Sequence, residues 1–204
     1  MSSAEETPAV AAPSLRERKK QRTREAIRRE AYRLFAEQGY EATTVDQIAE
    51  AAEVSPSTFF RYYPTKEDVV LVDDYDSVLA DALLARPAGE PIMDSLLAAL
   101  TGSFGPVIKS DLDELLLRTR LGFNDPAIRA RSWDELQRSQ DRLAEVIMAR
   151  TGRGPDDLHV HAAAAAIMAV STAVVRYWVE RDGAPDLPSL YEAPFRMLAE
   201  GLRL

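Results

Sequence analysis

Residues Thr43–Lys66 read TTVDQIAEAAEVSPSTFFRYYPTK, a stretch that contains three helix starts in close order. Thr44 followed by Gln47 forms a capping box, in which each side chain satisfies a free backbone N–H of the other residue. Ser55 followed by Pro56 supplies a second N-cap, with proline at the first helical position, where its missing N–H costs nothing. The local chemistry therefore predicts short helices that begin directly after Thr44 and after Ser55.

The spacing of these helix starts predicts a helix-turn-helix over residues 44–63. The first short helix has one apolar face, because Val45, Ile48, Ala49 and Ala52 recur at helical spacing. The second is expected to end at Pro64, and Thr65 then caps a longer third helix. Two short helices joined by a tight turn and followed by a longer one are the arrangement that this motif requires.

The second short helix has two different faces. Phe59 and Tyr63 are four residues apart and are expected to anchor the helix in a small core. Arg61 can pair with a guanine edge or a phosphate, the Thr58 methyl can meet a thymine methyl, and Tyr62 can reach backbone oxygens. The residues left for the outer face are Ser57, Thr58, Phe60, Arg61 and Tyr62. This face suits a DNA major groove, although some helix-turn-helix folds serve only as packing modules.

With the preceding helix RTREAIRREAYRLFAEQGYEATT, the stretch TTVDQIAEAAEVSPSTFFRYYPTKEDV resembles the signature of the tetracycline-repressor (TetR) family of bacterial regulators. The resemblance covers residues 20–75 and implies an all-α fold that binds operator DNA. It implies phosphate contacts for Thr44, Tyr62 and Lys66. It places Ser57, Thr58, Phe60 and Arg61 at or near the bases, and Val45 and Ser55 complete the predicted contact set within the motif.

Two positions depart from the family pattern. Glu53 stands in the turn where glycine is frequent, so a left-handed conformation at this residue would be strained. Phe60 stands where tyrosine is common, so a phosphate contact through that hydroxyl is absent.

The helix before the motif carries a strong positive charge. Nine Lys/Arg and three Asp/Glu lie within residues 14–33, a net charge of +6. Most charge runs are solvated helix faces, but this one adjoins the predicted recognition helix. We therefore favour attraction of phosphates, with Arg22 and Arg24 as DNA contacts and the outermost residues as a flexible arm.

Composition supports two domains of unlike charge. Residues 1–66 carry a net charge of +1 and residues 67–204 a net charge of −9, which gives −8 over 204 residues. The sequence predicts a disordered tail over 1–14, a DNA-binding domain over 15–66, and a ligand-binding and dimerisation domain over 67–204. With no cysteine, no signal-peptide core and no membrane-length apolar run, we expect a cytoplasmic protein without membrane partners.

The larger domain reads as helical throughout, so the predicted fold class is all-α. No run alternates with period two over the length of a strand. The expected helices cover about Lys66–Ala85, Ile92–Phe104, Val107–Leu121, Ala127–Thr151, Asp156–Arg181 and Pro188–Leu202.

The composition of the helix expected over Asp156–Arg181 predicts a homodimer. Residues His161–Val179 are apolar or small around nearly the whole circumference, so several sides of this helix must be covered. A two-fold copy is the simplest partner, and the family usually forms its dimer through the last two helices. The predicted interface residues are Ala165, Ala169, Phe195 and Leu198. A monomer that buries the helix internally is the alternative.

Bulky residues on the same helices are candidates for an effector site. The predicted ligand contacts are Phe104, Arg120, Phe123, Trp133, Met168, Tyr177 and Trp178. Core and pocket use the same residue types, so each of these can also be a packing residue. Arg118, Arg120 and Arg176 either hold an anionic ligand or pair with surface carboxylates.

The sequence thus favours a ligand-responsive repressor that binds a near-palindromic, double-stranded operator as a homodimer and is released by an unknown small molecule. Catalytic and cofactor motifs are not found, and His159 and His161 are too close in sequence to share a metal on a helix. We therefore predict no enzyme activity, no cofactor and no metal. The alternative function is a small-molecule sensor that acts through protein contacts and has a vestigial helix-turn-helix.

Overall fold

The computed structural model describes residues 14–72, 75–102, 105 and 112–202. Every regular element in these ranges is a helix, which confirms the all-α fold class. The chain divides into two compact units after Lys66. Of the tail predicted over residues 1–14, residues 1–13 lie outside the described residues.

The first unit contains α1 (Leu15–Gln38), α2 (Val45–Ala51) and α3 (Pro56–Tyr62). Ser14, which we had assigned to the tail, is the N-cap of α1 and forms a capping box with Glu17. The residues that follow are helical, so the expectation of a flexible arm is wrong from Leu15 onward. The capping box supplies the reason, because it satisfies free N–H groups at the new helix end.

A small aromatic core holds these three helices together. Phe35 of α1 meets Tyr40, which follows the helix end at Gly39, with ring centroids 5.0 Å apart. Gly39 has a φ of +88°, a conformation that favours glycine. The other fully buried apolar members are Ile27, Ala31, Ile48, Ala49, Phe59 and Tyr63.

The long fourth helix that the sequence predicted is interrupted. The structure has α4 over Lys66–Leu71 and α5 over Tyr75–Leu84, with Val72 outside both. The sequence between them is Val-Asp-Asp. Aspartates are unfavourable at a helix C-terminus and favourable at an N-terminus, so they favour ending one helix and starting another.

The second unit continues with α6 (Ile92–Thr101), α7 (Leu112–Asn124), α8 (Pro126–Thr151), α9 (Leu158–Val179), α10 (Leu187–Leu190) and α11 (Glu192–Ala199). The single helix predicted for the C-terminus is therefore two short ones. The predicted break at Asn124–Pro126 is a helix junction: the Asp125 carboxylate accepts hydrogen bonds from Ala127 N and Ile128 N and caps α8.

The core of the second unit forms around α9. Trp178 is fully buried, and its indole N–H donates to the carbonyls of Gly183 and Pro185, which closes the following turn over the ring. On α8, Arg150 donates to the carbonyls of Leu83 and Arg86, and to others of the α5–α6 connection. These bonds fix the end of α5 against α8.

Helix α9 is long and apolar enough to span a membrane by length and composition alone. Its most apolar 18-residue window has a mean hydropathy of 1.8, and 22% of that window is buried within the protomer. Core helices pass the same test. Much of the apolar surface of α9 is therefore not covered by the described residues of the protomer.

Candidate nucleic-acid interface and effector cavity

Helices α2 and α3 begin with the caps that the sequence predicted. Thr44 Oγ1 accepts from Gln47 N at 3.2 Å, while Gln47 Oε1 accepts from Thr44 N at 2.9 Å. Ser55 Oγ accepts from Thr58 N at 3.1 Å. In the turn between the helices, Glu53 has a φ of +54°, so the strained conformation expected at this position is present.

Helix α3 packs one face and exposes the other. Phe59 and Tyr63 are 0% and 1% exposed, which confirms their predicted role as anchors. Phe60 is half exposed, and Arg61 is exposed with its guanidinium 5.4 Å from the centre of the Tyr62 ring. A short capped helix therefore presents an arginine and an aromatic ring to solvent.

Three hydroxyls cluster at the start of α3. Ser55 Oγ lies 2.9 Å from Ser57 Oγ and 3.0 Å from Thr58 Oγ1. Because Ser55 already engages the Thr58 hydroxyl, the methyl group is the part of Thr58 left for an apolar contact. Val45 is half-buried at the first position of α2.

A basic groove joins α1 to α3. It has a volume of about 540 Å³, and Arg61 and Tyr62 form its α3 side. Its α1 side consists of Arg16, Lys19, Lys20 and Thr23. Arg16, Lys19 and Lys20 belong to the charge run predicted to attract phosphates, in which Arg22 and Arg24 are the contacts named individually. With Thr23, their i, i+3, i+4, i+7 spacing places them on one face of α1.

The two α1 residues that we had chosen lie elsewhere. Arg22 is exposed but does not line the basic groove. The Arg24 guanidinium lies 5.9 Å from the centre of the Tyr63 ring. The backbone carbonyl of Arg24 accepts a hydrogen bond from the Tyr63 hydroxyl at 3.4 Å. Arg24 is therefore in part a packing residue, which its charge alone did not indicate.

Lys66 is engaged inside the first unit. Its ammonium donates to Tyr40 O at 2.8 Å and to Thr43 O at 3.1 Å, and it lies 4.0 Å from the centre of the Tyr40 ring. These bonds tie the start of α4 to the turn that leads into α2. A phosphate contact by Lys66 stays a prediction, and its structural role was not visible in the sequence.

The second unit contains a cavity of about 510 Å³. Of the predicted ligand contacts, Phe123, Trp133, Met168 and Trp178 line it. Arg120 and Tyr177 do not line it. Arg120 pairs with Asp182, and the Tyr177 ring lies under Arg181, with the guanidinium carbon 3.4 Å from the ring centre. Phe104 lies outside the described residues.

The polar groups of this cavity include several arginines. Arg118 Nε donates to Val70 O, in the last turn of α4, at 2.7 Å. Arg176 lies over Phe123, with the guanidinium carbon 4.6 Å from the ring centre. Arg129 also lines the cavity, as do the hydroxyl residues Thr119, Ser132, Ser171 and Thr172.

A smaller, apolar chamber of about 160 Å³ shares wall residues with the main cavity. The shared residues are Asp76, Met168, Ser171 and Tyr191. Tyr191 is 5% exposed, and no hydrogen bond from its hydroxyl is found within the described ranges. Burial raises the pKa of this hydroxyl above its ordinary value, so it stays a proton donor.

The predicted dimer residues occupy different environments. Ala169 is exposed and Ala165 and Leu198 are half-buried, whereas Phe195 is 0% exposed. The Phe195 ring stacks on Tyr191 with centroids 5.4 Å apart, so assigning Phe195 to an intermolecular contact is wrong. A row that we call the alanine stripe runs along α9 and consists of the exposed Ala162, Ala169 and Ala173 and the half-buried Ala166.

Within the described part of the chain, no group of three or more His, Cys, Asp or Glu side chains is placed to hold a metal ion. His159 and the N-cap residue Asp157 contact each other, with Nδ1 and Oδ1 3.0 Å apart.

The fold and the surface of α3 define a helix-turn-helix DNA-binding protein, and comparisons with known proteins specify its family. The model of bacterial regulatory proteins of the tetR family matches residues 27–72, and that of the MftR C-terminal domain matches residues 90–203. The HTH-type transcriptional regulator TcmR of Streptomyces glaucescens is 38% identical over 199 residues, covering 94% of this chain and 87% of that protein. The chain belongs to the TetR family of transcriptional regulators.

Solved structures show the same fold. FadR of Thermus thermophilus, a TetR-family transcriptional repressor in complex with lauroyl-CoA, is 27% identical with a TM-score of 0.57. The alignment covers 89% of this chain and 95% of that one. The fatty acid degradation regulator FadR of Bacillus halodurans has a TM-score of 0.63 at 24% identity, covering 89% and 96% of the two chains.

Proposed function

We propose that this regulator is a cytoplasmic homodimeric repressor that places two α3 helices in successive major grooves of a near-palindromic operator. The observation that carries the proposal is the exposed face of α3. Arg61 and Phe60 stand on a helix that is capped by Ser55 and anchored by Phe59 and Tyr63. A rigidly held helix with exposed hydrogen-bond donors is what reading of base edges requires.

The residues of the basic groove support two different roles on the DNA, phosphate attraction by α1 and base contact by α3. Arg16, Lys19 and Lys20 attract phosphates, which gives affinity without sequence information. Arg61 stands in the same groove but on α3, so it is the cation best placed to reach a base edge. Thr44 at the start of α2 and Ser57 at the start of α3 are both exposed, so their side chains suit contacts with the DNA backbone.

The cavity supports release by a small molecule. At about 510 Å³ it has the size of sites that hold drug-sized ligands. The similarity to Thermus thermophilus FadR, a repressor solved in complex with lauroyl-CoA, supports an effector role for this cavity. An effector releases the operator when it binds the non-binding conformation of the dimer more tightly than the binding one.

The experiment that tests this function measures binding of Arg61→Ala to two duplexes. One is an operator selected from randomised duplexes with the wild-type protein, and the other is a random sequence of the same length. Arg61→Ala should cost about 1–3 kcal/mol on the operator and little on random DNA. Lys20→Ala should weaken both alike and lower the salt slope by about one.

Arg138→Ala is the matched control, because Arg138 is exposed in the second unit and pairs with Glu135. It should leave both affinities unchanged. Equal losses on operator and random DNA for Arg61→Ala would reduce Arg61 to a phosphate contact. If the wild-type protein selects no sequence at all, the vestigial-motif sensor becomes the better account.

A further inference from the structure

The wall of the main cavity has more positive than negative side chains. Arg118, Arg129 and Arg176 line it, and Asp76 is its one lining carboxylate among the described residues. The Asp76 carboxylate is already occupied, since it accepts hydrogen bonds from Ser139 and Arg142. It therefore does not neutralise the cavity arginines.

Among the described residues, two of these arginines have no counter-ion. Within the described ranges, neither Arg129 nor Arg176 has a side-chain ion pair or hydrogen bond, and Arg176 contacts the Phe123 ring instead. Both are exposed as well as cavity-lining, which places them at the mouth. Cations beside a low-dielectric cavity attract an anion more strongly than cations in open water.

The same wall offers flat apolar surface. Trp133 lines the cavity yet is 64% exposed, although tryptophan is highly buried on average. Phe123 presents a second ring, covered on one side by Arg176. Aromatic rings prefer offset-stacked or edge-to-face partners, so these two side chains suit an aromatic ligand.

The wall that the main cavity shares with the smaller chamber is different in character. The smaller chamber is lined mainly by aliphatic residues, among them Leu79, Leu83 and Val146. At its boundary with the main cavity, the Tyr191 hydroxyl is a buried donor that the described residues leave unused. A ligand that reaches this far meets apolar surface, the Tyr191 hydroxyl and the Arg142 side chain, whose Nε is buried without a hydrogen-bond partner among the described residues.

We propose that the cavity takes an amphipathic aromatic anion, with its acidic group held at the mouth by Arg176 and Arg129. Its aromatic body lies against Phe123 and Trp133, and its inner end carries an acceptor for the Tyr191 hydroxyl. That this molecule controls DNA binding rests on the proposed function. The chemical class rests on the cavity alone.

Two dyes that differ by one charged group test the class. 1-Anilinonaphthalene-8-sulfonate is an aromatic anion, and N-phenyl-1-naphthylamine is the same skeleton without the sulfonate. Fluorescence titrations of the full-length protein should show tighter binding of the sulfonate. Arg176→Gln should weaken the sulfonate about tenfold and leave the neutral dye unchanged, because a hydrogen bond to a charged group is lost.

Arg129→Gln is the second variant and should act in the same direction. Arg138→Gln is the control: it removes an exposed arginine of α8 that does not line the cavity, so both dyes should bind as to wild type. Circular dichroism melts establish that each variant is folded. Equal wild-type affinities for the two dyes, or equal weakening of both by Arg176→Gln, would overturn the assignment of an anion site.

Two further measurements separate the parts of the proposal. If laurate displaces the sulfonate dye but naphthalene sulfonate does not, the anionic end stands and the aromatic body is refuted. Operator affinity measured with saturating sulfonate dye tests regulation. If the dyes discriminate as expected while operator affinity stays unchanged, the ligand class stands and release through this cavity is refuted.

Discussion

Replacing Ala169 by glutamate places a charge in the middle of the alanine stripe of α9. Ala169 is exposed in the protomer, whereas the neighbouring Ala165 is already half-buried, so Ala169→Glu disturbs the protomer less. In the homodimer that we propose, we expect this stripe to meet its two-fold copy at close range, because it contains Ala169 of the predicted interface and lies exposed on the protomer except at Ala166. An uncompensated buried charge costs about 3–5 kcal/mol.

Two-fold symmetry doubles this cost, because every dimer contains the substitution twice. The expected loss is therefore about 6–10 kcal/mol per dimer. At about 1.4 kcal/mol for each tenfold change, the dissociation constant rises by roughly 10⁴-fold or more. A dimer of ordinary strength becomes a monomer at micromolar concentrations.

Sedimentation velocity measures the change directly, with circular dichroism to show that the helices are retained. Ala130→Glu is the control, since Ala130 is an exposed alanine of α8 outside the stripe. The control should stay dimeric and bind operator, while Ala169→Glu should be monomeric and fail to bind it. An unchanged dimer for Ala169→Glu would refute the α9 interface and move the contact to another surface.

Three further substitutions test individual contacts. Lys66→Met should lower the free energy of unfolding of the first unit by about 1.5–3 kcal/mol, because two loop carbonyls lose a charged donor. A lower salt slope for DNA binding with unchanged stability would show instead that this ammonium serves DNA alone. Arg118→Met should speed amide hydrogen exchange in α4, because Val70 O in its last turn loses its donor; unchanged exchange would contradict this capping role. Arg150→Met should cost about 3 kcal/mol or more in urea unfolding, since several part-buried carbonyls lose one shared donor, and a loss below 1 kcal/mol would show that water replaces it.

The helix-turn-helix was predictable because its signals are local. The capping box at Thr44 and the cap at Ser55 act within four residues, and the structure has both. The burial of Phe59 and Tyr63 followed from their spacing alone. Interactions of this kind depend only on neighbouring residues, so they can be predicted without knowing the tertiary structure.

The remaining features depend on contacts between distant residues. Arg120 and Arg176 look alike in sequence, yet one pairs with Asp182 and the other lines the cavity. Lys66 looked like a phosphate contact, and its bonds to the Tyr40 and Thr43 carbonyls span more than twenty residues. Sequence spacing within one helix does not specify which partner a long side chain meets.

The basic groove is an intermediate case. The spacing of Arg16, Lys19 and Lys20 was visible, but we expected an arm instead of a helix at this end of the chain. Once Ser14 is recognised as a cap, the same spacing defines one face of α1. The error lay in the helix boundary and not in the charge pattern.

The left-handed conformation of Glu53 has a consequence for the affinity of the regulator for DNA that is separate from its choice among DNA sequences. A non-glycine residue in this conformation costs of order 1–2 kcal/mol, and Glu53 also adds a negative charge to a module that must approach phosphates. Asparagine tolerates the conformation better and is neutral. In the proposed binding mode, a substitution at position 53 should therefore change the affinity for all DNA sequences alike, while the choice among sequences stays with α3.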